Sequence, residues 1–327
     1  MPAIAEAAAS KRGPSRSVML RVAVKTAEAD GVVALELRSP TGGRLPDWAP
    51  GAHIDLVLAT GDVRQYSLCG DRWDPHSYRV AVLREDAGRG GSAHIHDELE
   101  VDAIVGVGGP RNNFHLVPSA KYLFIAGGIG ITPILPMLDQ AERLGIEWTL
   151  LYGGRTRGSM AFTDELSRFG DRVQILPMDE VGMIDLASHL RTVDEDVKVY
   201  CCGPEPLLQA LADHTEHWPS HLIRTERFAA REQAEPVRSQ PFDVELVRSD
   251  ATVRVGPGTS ILEAARRAGV GVLSSCGEGT CGTCETAVLE GTPDHRDSIF
   301  DDAERDACDR MFICVSRSCS DRLVLDL

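Results

Sequence analysis

Four cysteines in the last quarter of the chain constrain its fold more than any other feature. Cys276, Cys281 and Cys284 follow the spacing C-x4-C-x2-C, and Cys314 follows at a distance. This is the spacing of a plant-type [2Fe–2S] site, and the glycines between the first three cysteines let the backbone wrap closely around a cluster. A structural zinc site usually offers two short C-x2-C pairs, and here only Cys281 and Cys284 form one. The sequence therefore predicts an iron–sulfur cluster with these four ligands.

The composition limits where the chain works and what it binds. Its 327 residues include 34 basic and 49 acidic side chains, for a net charge of −15, which repels nucleic acid and anionic membranes. No apolar run approaches the roughly 20 residues that span a bilayer. Residues 1–17 lack the apolar centre of a secretory signal and read as a flexible extension. The nine cysteines are not spaced as in a small disulfide scaffold. We expect a cytoplasmic protein that binds neither nucleic acid nor membrane.

The sequence pattern changes twice, which predicts three domains. Residues 18–118 contain short alternating strands between turn signals, as in an antiparallel β-barrel. In residues 119–228 strands alternate with helices, which predicts an α/β domain with a parallel sheet; its helices are expected over residues 133–144, 162–169, 185–190 and 205–214. Residues 229–241 are polar, contain Pro236 and Pro241, and read as a linker. Residues 242–327 begin with a predicted hairpin and a capped helix and carry the cluster cysteines.

Two features of the first domain could hold a cofactor that has both a phosphate and an aromatic ring. The segment of residues 64–68, RQYSL, offers a guanidinium, a ring and a hydroxyl, which can pair with a phosphate, cover a ring face and bond a ring edge. Gly90-Gly91-Ser92 opens a predicted helix, and such a helix start suits a phosphate. The first feature alone is weak, because any amphipathic strand could contain it.

The second domain has the features of a dinucleotide site. A glycine-rich turn follows its first strand and leads into a helix, which suits a pyrophosphate, although Pro133 replaces the third glycine of a Rossmann pattern. Proline is favourable there, in the first helical turn. Two further segments end strands at the carboxyl edge, where open sheets bind ligands. Because Arg155 could accept a 2′-phosphate, the residues alone leave NADPH open. The candidates are Gly128, Gly130, Thr132, Pro133, Gly154, Arg155, Cys202, Gly203 and Pro204.

Taken together and in this order, the segments RQYSL, GRGGS, GPRNNFHL, AGGIGITPI, CCGP and CGEGTCGTC resemble the phthalate dioxygenase reductase family, which includes vanillate demethylase reductases. The resemblance covers about residues 18–327. It implies an FMN-binding β-barrel, an NADH-binding α/β domain and a C-terminal β-grasp, plant-type ferredoxin domain. The C-terminal position of the ferredoxin domain favours FMN over FAD. The flavin and phosphate contacts that the resemblance implies are Arg64, Tyr66, Ser67, Leu68, Arg84, Gly90, Gly91, Ser92 and, near the flavin ring, Phe228.

The resemblance also implies a function that fits the electron count. NADH donates two electrons as a hydride, whereas a [2Fe–2S] cluster takes one, and a flavin can divide the pair. We therefore predict an NADH-dependent reductase that passes single electrons to the Rieske centre of a terminal oxygenase or demethylase. No catalytic side chain is predicted, since the cofactors carry the chemistry. The alternatives are an iron–sulfur redox sensor and a self-contained flavin oxidoreductase that acts on an organic substrate.

Overall fold

The computed structural model describes residues 17–86, 88–231 and 235–327. Residues 1–16 of the predicted extension and residues 232–234 of the predicted linker lie outside the described residues. Within the described ranges, no helix combines the length and the apolar composition that crossing a bilayer requires. All nine cysteines lie in these ranges, and none of them forms a disulfide.

The first domain is an antiparallel sheet that closes on itself. Its strands are β1 (Val18–Ala29), β2 (Val32–Arg38), β3 (Ala52–Val57), β4 (Val63–Ser67), β5 (Ser77–Leu83) and β6 (Ile104–Asn112). They lie in the order β4-β3-β6-β1-β2-β5, and a bridge between Leu68 and Val80 joins the two edges. Alternate side chains such as Leu35 and Ile54 fill the interior, to which the helix α1 (Gly91–Asp97) adds Ile95. The predicted β-barrel is confirmed.

The second domain is a parallel five-stranded sheet with helices on both faces. Its strands are β7 (Lys121–Gly127), β8 (Glu147–Gly154), β9 (Val173–Pro177), β10 (Val197–Cys202) and β11 (Ile223–Glu226), in the order β11-β10-β7-β8-β9. Its helices are α2 (Ile131–Leu144), α3 (Thr163–Leu166), α4 (Met178–Val181), α5 (Leu186–Leu190) and α6 (Glu205–Thr215). α2 and α3 cover one face, and α5 and α6 cover the other.

One predicted helix of the second domain was wrong in its extent. A single helix was expected over residues 162–169, but α3 ends at Leu166 and a 3₁₀ helix, Ser167–Arg172, follows it. Phe162 precedes α3 with a left-handed backbone, and Gly170 breaks the helical geometry with φ 59° and ψ −135°. The apolar side chains of Leu166 and Phe169 are nevertheless buried. The spacing of the apolar residues therefore predicted correctly that this segment packs on the core, but it overestimated the length of the α-helix.

The third domain is a mixed five-stranded sheet with a helix packed on it. Its elements are β12 (Phe242–Leu246), β13 (Ala251–Val255), α7 (Ile261–Arg267), β14 (Glu285–Glu290), β15 (Pro293–Asp294), α8 (Asp302–Ala307), β16 (Arg310–Phe312), β17 (Arg317–Ser318) and β18 (Arg322–Leu325). The main sheet has the order β13-β12-β18-β14-β16, and β12 runs parallel to β18. The predicted hairpin is β12–β13, and Ser260 Oγ accepts from the Glu263 N–H, as predicted for the helix start.

The barrel and the nucleotide domain share one apolar core. Val32 of β2 and Ala81 of β5 are buried together with side chains of the nucleotide domain, including Trp148 of β8. An ion pair between Arg79 and Glu165, 2.9 Å apart, lies at the same boundary. Because the barrel packs on the nucleotide domain through strands, these two domains behave as one unit on which the third domain is placed.

Candidate functional site

Glycines hold the cysteine loop of the third domain in a wrapped conformation. The three glycines between the ligand cysteines have φ angles of 71° to 75°, a region open to glycine because it has no Cβ. The amides of Glu278 and Thr280 donate to Cys276 Sγ at 3.3 and 3.5 Å. Amides directed at the sulfurs stabilise the negative charge of a cluster. The geometry therefore agrees with the role predicted for these glycines, which is to let the backbone wrap closely around the cluster.

The four predicted ligands come together. The Cys276 N–H donates to Cys281 Sγ at 3.5 Å, and the thiols of Cys276, Cys284 and Cys314 lie close enough to shift one another's pKa. Hydrogen bonds from Cys281 and Cys314 lower the pKa of Cys276. Among the described residues, no three His, Cys, Asp or Glu side chains are grouped as they would be around a single metal ion. The ligand spacing continues to favour a [2Fe–2S] cluster over a structural zinc, which usually has two short C-x2-C pairs.

Arg64 of β4 meets the glycine turn that precedes α1. A Cβ at Gly91 would lie 2.6 Å from Arg64 Nε, so the guanidinium crosses the start of the helix where only glycine leaves room. Arg64 also donates to the Arg89 carbonyl at 3.0 Å, and its side chain is only 15% exposed. Gly90 precedes the helix with a left-handed backbone. A fixed cation beside such a turn suits a phosphate.

Arg84 and Ser92 lie at the same turn and are engaged with neighbours. Ser92 Oγ accepts a hydrogen bond from the Glu85 N–H at 3.0 Å. Arg84 donates to Asp86 at 2.8 Å and to Asp97 at 2.6 Å. Ser92 is the acceptor in its bond and can still donate its hydroxyl proton, and the two bonds of Arg84 use only Nε and Nη1. These contacts therefore leave room for a phosphate, and the role of both residues as phosphate contacts stays a prediction.

The remaining residues of the predicted flavin strand point in different directions. In the pairing of β3 with β4, Tyr66 lies opposite Ile54 and Ser67 lies opposite His53, so Tyr66 and Ser67 project to opposite faces. Tyr66 is half-buried against the barrel core, where burial raises its pKa. The Leu68 side chain is fully buried, so this residue can contact a cofactor only through its main chain.

The glycine turn of the nucleotide domain meets the Cys202-Gly203-Pro204 segment at the carboxyl ends of β7 and β10. These strands are neighbours in the sheet. A Cβ at Gly130 would lie 2.7 Å from Gly203 N, and a Cβ at Gly127 would lie 2.7 Å from Pro204 Cδ. Gly128 has a positive φ of 54°. The two predicted segments thus pack backbone against backbone beside the start of α2, which suits a pyrophosphate.

Thr132 and Pro133 are buried residues of the first turn of α2. The helix begins at Ile131, two positions before the predicted start. The Thr132 hydroxyl donates to the Ile129 carbonyl at 2.9 Å, and both side chains are covered. These residues stabilise the turn, and their role as direct nucleotide contacts stays a prediction.

Gly154 ends β8 at the same edge of the sheet, and Arg155 follows it. A Cβ at Gly154 would lie 3.0 Å from Met160 Sδ. Arg155 is exposed, and within the described ranges its side chain has no hydrogen-bond or ion-pair partner. Arg157 instead donates to both carboxylate oxygens of Glu180, at 3.0 and 2.7 Å. The structure therefore leaves one unengaged arginine, Arg155, where the adenosine ribose is expected.

Glu226 is a residue of this site that the sequence patterns did not indicate. It ends β11 directly beside Cys202 and stands two positions before Phe228, whose side chain is 47% exposed. Glu226 Oε2 is buried and has no hydrogen-bond partner among the described residues, and burial raises the pKa of this carboxyl to about 8. Burial, followed by this carboxyl, raises the pKa of the Cys202 thiol, which agrees with a Cys202 that is not a nucleophile.

The cluster loop lies on the outer face of the barrel, next to Asp55 and His53, which belong to none of the sequence motifs. Asp55 of β3 is fully buried, and its Oδ1 accepts from Arg111 at 2.6 Å, from Gln65 at 2.9 Å and from Ser275 at 2.9 Å. Ser275 directly precedes the predicted ligand Cys276. Asp55 stands inside an apolar strand, and nothing in its neighbours along the chain reveals a contact with the third domain.

His53 lies on the same face of β3 as Asp55, again beneath the cluster loop. Its ring hydrogen-bonds the Cys281 main chain, and burial, followed by the charge of Arg111, lowers its pKa to about 4. The ring is therefore neutral at ordinary pH. Its Nε2 atom is buried and has no partner in the described part of the chain.

Comparison with known proteins agrees with these sites. Residues 244–319 match the family model of the 2Fe-2S iron-sulfur cluster binding domain, and residues 124–213 match that of the oxidoreductase NAD-binding domain. The chain is 44% identical to the phenoxybenzoate dioxygenase subunit beta of Ectopseudomonas oleovorans, over 95% of this chain and 97% of that protein. It is 38% identical to the phthalate dioxygenase reductase of Burkholderia cepacia, over 94% and 97%.

Two solved structures are similar over almost the whole chain. The structure of phthalate dioxygenase reductase, described as a modular structure for electron transfer from pyridine nucleotides to [2Fe–2S], is 37% identical with a TM-score of 0.69, over 95% of this chain and 98% of that one. An intact type IV self-sufficient cytochrome P450 monooxygenase is 42% identical with a TM-score of 0.92, over 98% of this chain. The chain spans only 43% of the length of the P450 protein.

The three-domain fold, the cysteine loop and the carboxyl edge of the parallel sheet define the class of the protein. It is an iron–sulfur oxidoreductase with a nicotinamide nucleotide domain. The identity over nearly the full length of both reductase relatives is specific enough to assign the family. The chain belongs to the phthalate dioxygenase reductase family. The predicted family and the predicted three-domain fold are thereby confirmed.

The pKa of Glu226 leads to a testable pH dependence. Its folded-state pKa of about 8 lies above the usual 4.5, so this residue lowers stability progressively as pH rises from 4.5 through 8. We expect Glu226→Gln to melt like the wild-type holoprotein near pH 5 and at a higher temperature near pH 9. Glu147→Gln, which removes an exposed carboxyl, is the control and should show no such trend. Parallel melting curves of wild type and Glu226→Gln at all pH values would contradict the assignment.

Proposed function

We propose that this protein is an NADH-dependent FMN and [2Fe–2S] reductase that delivers single electrons to a terminal oxygenase or demethylase. The main support is the position of the cluster loop, which lies against the barrel next to the predicted flavin strand, while the same barrel packs on the nucleotide domain. The reductase relatives support the same function by their names. A redox sensor would not need the nucleotide domain, which argues against the first alternative.

Each site is assigned to the cofactor that its residues can bind. A bound flavin supplies hydride acceptance and release of electrons one at a time. Arg64 with the turn at Gly91 would hold its phosphate, and Tyr66, Ser67 and Phe228 would position its ring. The edge formed by Gly130 and the Cys202-Gly203-Pro204 segment would hold the nicotinamide nucleotide. The four cysteines would hold the cluster, beneath which His53 and Asp55 exclude water.

NADH is the proposed donor, because the end of β8, where the adenosine ribose is expected, has little unpaired positive charge to bind the 2′-phosphate of NADPH. Both carboxylate oxygens of Glu180 accept hydrogen bonds from Arg157, and Asp179 precedes Glu180 in the first turn of α4. Arg155 alone is unengaged, and two carboxylates nearby oppose the added negative charge of NADPH. We also place the protein in the cytoplasm, since all nine cysteines lie in the described residues and none of them forms a disulfide.

The proposed electron acceptor is a Rieske centre. This chain covers 97% of the phenoxybenzoate dioxygenase subunit and of the phthalate dioxygenase reductase, so it matches these reductases as whole proteins. The second candidate acceptor is the haem of a P450. It is favoured by the TM-score of 0.92 to the self-sufficient P450, although that match covers less than half of the P450 protein. Both acceptors take one electron at a time, so the reductase chemistry is the same.

The cofactor content of the purified holoprotein tests the proposal directly. We expect about one FMN and about two irons per chain, as a single [2Fe–2S] cluster requires. Mass spectrometry of the released flavin identifies FMN, and a rhombic EPR signal after reduction with NADH identifies the cluster. A holoprotein without flavin, or one whose cluster is reduced by NADH after the flavin has been removed, would overturn the proposed order of transfer.

Loss of one cluster ligand should separate the two halves of the reaction. Even changes around a metal site cost about 10- to 100-fold in affinity or activity, so Cys281→Ser should lower cytochrome c reduction by about 100-fold or more. Stopped-flow reduction of the flavin by NADH should continue. Cys319→Ser is the matched control, since Cys319 is an exposed cysteine of the same domain. An equal loss of both activities in Cys281→Ser would count against the proposed order, in which electrons pass from NADH to the flavin and only then to the cluster.

Direct electron transfer to the two candidate acceptors distinguishes them. The NADH-reduced protein is mixed anaerobically with the oxidised Rieske component of a phthalate dioxygenase system and, separately, with a bacterial P450 haem domain. We expect rapid bleaching of the Rieske absorbance and slow formation of the ferrous carbon monoxide complex of the haem. Faster haem reduction would favour the second candidate.

A further inference from the structure

We propose that Asp55, Gln65, Arg111 and Ser275 form a clamp that positions the cluster loop on the barrel and thereby sets the rate of electron transfer from the flavin to the cluster. The inference rests on the proposed function. None of the four is a predicted ligand of flavin, nucleotide or iron, so they are positioning residues. They join three barrel strands to the residue before the first cluster cysteine.

Hydrogen bonds between the two domains close into a ring at the clamp. Gln65 Nε2 donates to Ser275 Oγ at 2.7 Å and to Asp55 Oδ1 at 2.9 Å. The Ser275 hydroxyl in turn donates to the same Asp55 oxygen at 2.9 Å. Each member of this ring bonds both others, so the serine of the third domain is held by two barrel side chains. A shift of the loop breaks two hydrogen bonds together.

A buried charge makes the clamp specific. Asp55 is fully buried, and a buried carboxylate is costly unless it is paired and hydrogen-bonded. Arg111 supplies the counter-charge at 2.6 Å, and three donors converge on one oxygen. Withdrawal of Ser275 would remove one of these donors, so the carboxylate favours the docked position of the loop.

Further contacts around the clamp hold the same loop. The Cys281 carbonyl accepts from Arg111 Nε at 3.4 Å. A Cβ at Gly282 would lie 2.9 Å from the Asn113 side chain, and Arg89 forms an ion pair with Glu278 at 2.9 Å at the exposed margin. The barrel therefore contacts the loop directly before the cysteine pattern and within it, around the place where the cluster would be bound.

The register of β4 explains why this position matters for electron transfer. Gln65 lies opposite Asp55, whereas Arg64 lies opposite Leu56 and Tyr66 opposite Ile54. Gln65 therefore projects to the clamp side together with Ser67, and Arg64 and Tyr66 project to the other side. Arg64, Tyr66 and Ser67 are the predicted flavin contacts of this strand. The strand β4 thus carries residues that contact the cluster loop and residues predicted to contact the flavin. A displaced loop would change the distance from the flavin to the cluster without moving the flavin residues.

Stopped-flow kinetics of the holoprotein separates this role from a general structural one. Since misplacement of reacting groups by about 1 Å can cost about 100-fold, we expect Ser275→Ala and Gln65→Met to slow flavin-to-cluster transfer by about tenfold. Hydride transfer from NADH and the EPR signal of the reduced cluster should stay as in wild type. Ser274→Ala is the matched control, because Ser274 bonds Arg266 within the third domain, and it should transfer at the wild-type rate.

A double variant and a structural measurement complete the test. Because Gln65 and Ser275 bond each other, the combined variant should be no slower than about the slower single variant, as expected for coupled residues. Hydrogen exchange should rise at residues 52–57 and 275–283 in both variants and stay unchanged in Ser274→Ala. This measurement remains informative without any turnover.

The outcomes separate the clamp from the function on which it rests. If wild-type protein transfers no electrons from flavin to cluster, the proposed function fails. If wild type transfers and Ser275→Ala and Gln65→Met match it in rate and in hydrogen exchange, the clamp alone is refuted. Slower transfer with additive effects in the double variant would also refute it, because the two residues would then act separately.

Discussion

The shared apolar core between the barrel and the nucleotide domain is the constraint on which the rest of the structure depends. Val32 and Ala81 face out of the barrel interior and are buried against Trp148 and its neighbours. Burial of such side chains contributes about 25 cal/mol per Å², which no exposed ion pair at this boundary can match. Because the two domains share a core, the flavin strand and the carboxyl edge of the parallel sheet keep a fixed relation to each other.

The third domain is attached by a different kind of contact. At its boundary with the barrel lie a buried carboxylate, a guanidinium, an amide and a hydroxyl instead of an apolar core. Polar networks of this kind lose stability sharply when one member is missing, and they specify one arrangement more narrowly than apolar packing does. That property suits a boundary across which the relative position of two redox groups controls the rate.

Much of the fold could be predicted because local patterns report burial directly. The alternating strands of the barrel and the strand–helix alternation of the second domain gave the correct classes. The glycines of the cysteine loop, which were expected to let the backbone wrap around a cluster, have positive φ angles. The helix expected over residues 162–169 was wrong in extent, because α3 ends at Leu166 and the chain continues as a 3₁₀ helix from Ser167. Strand β11 was not predicted, since its four residues carry no alternation that distinguishes them from a loop.

The sequence by itself determined the chemistry of the sites, because ligand type and spacing are properties of neighbouring residues. The C-x4-C-x2-C pattern, the glycine turn and the RQYSL strand could all be read along the chain. Only the tertiary structure decided how those sites are placed. Asp55 and Ser275 are far apart in sequence, as are Cys202 and Glu226, and their contacts arise from strand register and domain packing. Candidate binding residues can therefore be proposed from local patterns, whereas contacts that position one site against another become visible only in the tertiary structure.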